Sequence, residues 1–127
     1  MARILIAEDE RDIRELVTIS LRGLGGFDVT QAANGAEAVE RARAEHPDLI
    51  LMDVRMPNMT GYEACRRLKE SAETKDIPIV FLSAKGQESE IQQGLTVGAV
   101  QYILKPFAPD ELVREVRSLL KRFKASK

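Results

Sequence analysis

The sequence predicts an α/β fold: a doubly wound parallel sheet of five strands with helices on both faces. Two observations predict it. Strand-like and helix-like segments alternate five times along 127 residues with short connections, the pattern of successive βα units with right-handed crossovers. Ile4-Leu5-Ile6-Ala7, Leu49-Ile50-Leu51-Met52 and Ile79-Val80-Phe81-Leu82 are short unbroken apolar runs. Such runs suit strands covered on both faces.

The first strand spans about Arg3 to Ala7. A helical pattern follows, with Ile13, Leu16, Val17, Leu21 and Leu24 spaced along one face, and Gly25-Gly26 stops it. Phe27 to Ala32 is the second strand. Its polar Asp28, Thr30 and Gln31 suit an edge position with one wet face. Asn34 is an N-cap with Glu37 three residues on. Ala38, Val39 and Ala42 give that helix a thin apolar face, and His46-Pro47 ends it, because the residue before proline avoids helical angles. Asp48 to Asp53 is the third strand. Thr60 and Glu63 form a second capping box, followed by Cys65, Leu68 and Ala72 on one helical face. Pro78 to Ser83 is the fourth strand.

A fourth helix, over about Gln87 to Val97, rests on Ile91 and Leu95 alone and contains Gly94. Val100 to Lys105 is the fifth strand. Pro109 in a first turn and Asp110-Glu111 near the positive end of the helix dipole start a fifth helix. Its buried stripe is Leu112, Val113, Val116, Leu119, Leu120 and Phe123. No linker or low-complexity stretch divides the chain. The expectation is one domain over 1–127, with a core of about 2–123 and a basic tail at 121–127.

Composition excludes several classes. A net charge of -1 argues against bulk nucleic-acid binding and against an acidic disordered chain. Cys65 is the sole cysteine, so no internal disulfide forms, and a reducing, cytoplasmic compartment is expected. No apolar run approaches the roughly 20 residues that span a bilayer, and the start runs straight into a strand with no signal-peptide pattern.

The chemistry sits where the apolar runs stop. Glu8 and Asp9 follow the first strand, Asp53 the third, Ser83 the fourth and Lys105 the fifth. Ligands of open parallel sheets gather outside the carboxyl ends of the strands, so these groups are expected at one edge. Three carboxylates in one place need a counter-charge. A hard cation such as Mg²⁺ suits oxygen ligands and shares phosphate oxygens. Asp53 can attack phosphorus to form an acyl phosphate, Lys105 can neutralise phosphoryl charge, and Ser83 can donate to a phosphoryl oxygen. Each residue also has a plainer role: an acidic helix cap, a turn-initiating Asp, a solvated Lys, a helix-capping Ser. Their joint occurrence at four strand ends favours a site.

The same residues carry a family resemblance. In order stand Ala7-Glu8-Asp9-Glu10, Leu51-Met52-Asp53-Val54-Arg55-Met56-Pro57, Thr60-Gly61-Tyr62-Glu63, Phe81-Leu82-Ser83-Ala84, Gly98-Ala99 and Tyr102-Ile103-Leu104-Lys105-Pro106-Phe107. Over essentially its whole length the chain resembles a receiver domain of a two-component response regulator. The resemblance implies a flavodoxin-like sheet of strand order 2-1-3-4-5. It implies Asp53 as phosphoacceptor from a histidine kinase or phosphotransfer protein. Mg²⁺, with Mn²⁺ as a substitute, would be held by Asp9, Asp53 and the backbone carbonyl of Arg55, with Glu8 acting through a water. Ser83 and Lys105 would contact phosphoryl oxygens. Ser83 and Tyr102 would form the switch, and Lys105-Pro106 would be cis.

Further implications are a signalling domain rather than an enzyme, limited to self-phosphorylation and slow self-dephosphorylation. Output would pass through the face of the fourth helix, fifth strand and fifth helix. It would reach a downstream protein, or an output domain outside this chain, from a monomer or a phosphorylation-dependent dimer. No direct contact with nucleic acid or membrane is implied. Arg55 and Lys85, two positions after Asp53 and Ser83, would set the phosphate lifetime. Departures from the family pattern are Glu8 for a frequent Asp, Ser83 for a frequent Thr, and Val100-Gln101 for a frequent acidic pair. Two rival readings fit less well. A haloacid-dehalogenase-type phosphatase wants a second Asp two residues after the first, where Arg55 stands. A pseudo-receiver would lack the acceptor or the lysine, and both are present. His46 reads as a loop residue and Cys65 as a buried small hydrophobe.

Overall fold

The computed structural model describes residues 2–84, 92, 96–105 and 107–125. Five strands, β1 (Arg3–Ala7), β2 (Asp28–Ala32), β3 (Leu49–Asp53), β4 (Ile79–Ala84) and β5 (Gln101–Lys105), form one sheet. All neighbours pair in parallel, in the order β2-β1-β3-β4-β5. This is the flavodoxin-like order that the resemblance implied. β2 lies at the edge, as its mixed polarity suggested.

Alternation along the strands divides the core into two layers. Leu5, Ala7, Ile50, Met52, Ile79 and Phe81 face one layer, packed by helices α2 (Gly35–Glu45) and α3 (Gly61–Glu70). Ile4, Ile6, Leu49, Leu51, Val80, Leu82 and Ile103 face the other, packed by α1 (Arg11–Ile19) and the C-terminal helix (Pro109–Ala125). Full burial of one such side chain stabilises by about 1.5–3 kcal/mol, so strands apolar on both faces anchor the fold. Phe81 meets Tyr62 of α3 edge to face, with ring centroids 5.4 Å apart.

Local signals placed the helix ends well. The Asn34 side chain accepts from the Glu37 amide at 2.9 Å, and the Thr60 hydroxyl accepts from the Glu63 amide at 3.2 Å. His46 ends α2 in the left-handed conformation, φ 48°, directly before Pro47. The helix expected over 87–97 lies mostly outside the described residues. Gln92 and Thr96 are helical, and the Thr96 hydroxyl donates to the Gln92 carbonyl at 2.8 Å.

Three expected core residues are instead exposed. Leu16 and Leu24 are 45% and 58% exposed, while Val17 and Leu21 are fully buried. The cause at Leu24 is a π-helical turn over Ser20–Leu24. Its i→i+5 bonding puts more residues in the turn and breaks the 3.6-residue phase that the stripe assumed. Leu16 lies beside the stripe, lining a surface hollow with Ile13 and Phe107. Ala72 is exposed because α3 stops at Glu70 and Ser71 is extended. Thr74 takes the inward place, its hydroxyl donating to the Leu68 carbonyl at 2.7 Å.

Candidate functional site

Period-two alternation explains which strand-end groups meet. Glu8, Asp53 and Lys105 each stand two residues after a member of one core layer: Ile6, Leu51 and Ile103. All three therefore emerge on the face of α1 and the C-terminal helix. The Lys105 ammonium lies 3.3 Å from Asp53 Oδ1 and 3.4 Å from Glu8 Oε1. It is not the solvated edge lysine of the plainer reading.

Glu8 is fully buried and Asp53 nearly so, whereas Asp9 is exposed at the rim. Each offers a carboxylate oxygen, and these oxygens lie within 4.8 Å of one another. Burial is the main cause that pushes the Glu8 carboxyl up to about 8, and the Asp53 charge adds to it. Lys105 acts in the opposite direction. Three carboxylates this close, two of them on the Lys105 ammonium, fit a divalent cation, which would relieve the repulsion that burial magnifies. Glu10, at the N-cap of α1, makes no side-chain capping bond, so capping does not account for the acidic run.

Ser83 follows Phe81 by alternation and falls on the opposite face from this trio. Its hydroxyl is buried and has no hydrogen-bond partner. Tyr102 sits half-buried on β5, in register with Phe81. Arg55 is exposed just beyond β3. Lys85 and Pro106, with its expected cis bond, lie outside the described residues.

Two supporting residues have no assigned role in the sequence, Gly61 standing there only within the Thr60-Gly61-Tyr62-Glu63 motif. Arg14, on α1, donates from Nη1 to the Glu8 carbonyl at 2.8 Å and so fixes the acidic loop. Its only signal was its place one turn into α1 after the acid pair. Gly61 opens α3 with its amide on the Val54 carbonyl at 2.9 Å. A Cβ there would strike the Asp53 carbonyl oxygen and lie 3.1 Å from its carbonyl carbon. The absent side chain lets α3 start against the backbone of Asp53, a close approach that only glycine permits.

The chain as a whole is similar to known proteins. A family model described as the response regulator receiver domain matches residues 4–117. The phosphate regulon transcriptional regulatory protein PhoB of Pseudomonas aeruginosa is 44% identical over 94% of this chain and 52% of its own length. The DNA-binding dual master transcriptional regulator RpaA of Synechocystis is 41% identical over 96% of this chain and 50% of its own. The chain thus spans about half the length of the curated relatives it matches. Among solved structures, the chemotaxis response regulator CheY4 of Vibrio cholerae superposes with a TM-score of 0.86 at 34% identity, covering 93% of this chain and 98% of that one.

Proposed function

The chain belongs to the response-regulator receiver domain family, and from that premise we propose that Asp53 accepts a phosphoryl group from a histidine kinase or histidine phosphotransfer protein. The observation that carries the proposal is the Lys105 ammonium held between Asp53 and Glu8 at the carboxyl ends of β1, β3 and β5. An Asp53 carboxylate oxygen attacks phosphorus. The new P–O bond forms as the P–N bond of phosphohistidine breaks, and the departing imidazole keeps its electron pair and takes up a proton. Lys105, already paired with Asp53, would compensate the charge arriving on the phosphoryl oxygens. Asp9, Asp53 and the Arg55 carbonyl, with Glu8 through a water, would hold Mg²⁺. When bound, the ion neutralises charge on carboxylate and phosphoryl oxygens.

Signal output follows from the buried Ser83 hydroxyl. It faces away from the trio and lacks a partner. An acyl phosphate, with about two negative charges, offers acceptors that this hydroxyl reaches only by moving. The conformation in which it reaches them is thereby favoured, and Tyr102, on the neighbouring strand, follows into the space released. The surface built on β5 and the C-terminal helix changes with it. Arg55, exposed two residues beyond Asp53, would influence how water reaches the acyl phosphate. In this role the chain signals through protein contacts rather than catalytic turnover. RpaA, a DNA-binding regulator by name and about twice as long as this chain, supports an output domain as one destination of the signal.

The test is incubation with Mg²⁺ and a small acyl phosphate or phosphoramidate, read by intact-protein mass. The expected result is a gain of one phosphoryl group that is absent in Asp53→Asn. Unlabelled wild-type protein would overturn the proposal in favour of a binding module. Steady turnover of phosphate esters would overturn it in favour of a hydrolase.

A further inference from the structure

Away from the acidic site, an open groove of about 450 Å³ runs along the outer edge of β2. Arg14, Arg22 and Arg41 line it, with Glu37 the one carboxylate among the lining residues. Arg14 and Arg22 each make one hydrogen bond to a backbone carbonyl, of Glu8 and Val29, both at 2.8 Å. Arg41 pairs with Glu37 at 3.4 Å and Glu45 at 3.2 Å. A guanidinium carries five N–H donors, so most donors of these three remain for a ligand. The Thr30 hydroxyl, also on the groove wall, is buried and has no hydrogen-bond partner.

The groove's floor is an open strand edge. Asp28 donates to the Ala2 carbonyl at 3.0 Å, and the Ala32 carbonyl accepts from Glu8 at 3.1 Å. In a parallel pair alternate residues turn both backbone groups to the partner strand. Asp28, Thr30 and Ala32 therefore face β1, and Val29 and Gln31 turn theirs outward. Arg22 covers the Val29 carbonyl. The outward amide and carbonyl of Gln31 are left as a template for an added strand.

We propose that this groove docks an extended acidic segment of a partner protein, its backbone pairing with Gln31 and its carboxylates meeting Arg14, Arg22 and Arg41. The arginines come from α1, the π turn and α2, and each is tied to separate acceptors, an arrangement that suits several carboxylates along a segment better than one small anion. No aromatic side chain lines the groove to stack a base, which disfavours single-stranded nucleic acid. Strand addition supplies main-chain hydrogen bonds, and the flanking charges select the partner. Arg14 joins this surface to the acidic site, because the guanidinium that lines the groove also holds the Glu8 carbonyl. A docked segment therefore shifts the loop that carries Glu8 and Asp9.

The test is an amide chemical-shift titration of the full chain with a short poly-glutamate peptide, a matching poly-lysine peptide and inorganic phosphate. The expected result is saturable shifts at 29–33 and at Glu8 with poly-glutamate alone, weakening as salt rises. Arg22→Ala with Arg41→Ala should weaken binding about tenfold or more. Arg41→Glu, on the surface of α2, gives the same reading without removing the cover on Val29, and thermal melts verify that each variant folds. Shifts confined to the basic C-terminal residues would overturn the proposal. Equal shifts with phosphate, or affinity unchanged in the folded variants, would overturn it too.

Discussion

Glu8 is sealed from solvent, and one ammonium, that of Lys105, serves both its carboxylate and that of Asp53. Its folded pKa, about 8, stands above the ordinary value of 4.5. A carboxyl with a raised folded pKa favours the fold when protonated. That contribution is complete below the unfolded value and is lost as pH rises through the folded one. Stability of the metal-free chain should therefore fall between pH 4.5 and 8. Thermal melts in chelator should show the fall, and Glu8→Gln should flatten it; a flat wild-type profile would contradict the assignment. The place of Glu8 at a strand end was legible in the sequence. So was the gathering of the acids and Lys105 at one edge, but not the direct pairing of Lys105 with both acids, because β1 and β5 are separated in the sheet by β3 and β4. Only strand order and side-chain parity together bring the two ends within reach.

At the scale of elements, the junction of β3 and α3 ties packing to chemistry. α3 begins pressed on the Asp53 backbone because position 61 has no side chain. Gly61→Ala should overpack this junction and cost about 1–3 kcal/mol. The check is the urea midpoint, and an unchanged midpoint would show that the junction yields freely. Caps such as Asn34 and Thr60 were readable because the donor and acceptor lie three residues apart. The π turn after α1 was not, since an apolar stripe read at 3.6 residues per turn holds no record of a wider turn. The sequence placed Leu24 inside for that reason. Ala72 failed likewise, because nothing near Glu70 announces the end of α3, while the inward Thr74 is fixed by a bond back to Leu68.

For the whole molecule, the alternation of elements fixed a parallel α/β sheet, and the polar β2 suggested an edge. Periodicity alone does not order the remaining strands. That order came from the resemblance, since it depends on which crossovers run over which face. The two core layers then follow from parity. One of them encloses Cys65, fully buried, its Sγ 3.5 Å from the Val97 carbonyl. Burial pushes the thiol up to about 11, so at neutral pH it is both covered and protonated. The chain thus carries a built-in reporter of its own opening, since the sole thiol can be alkylated only while the layer of α2 and α3 has parted from the sheet. Alkylation followed against urea should be slow in the native state. Its slope should match global unfolding if the layers separate together, and fall below it if one peels off first. Prompt alkylation in native buffer would show that Cys65 is not enclosed at all.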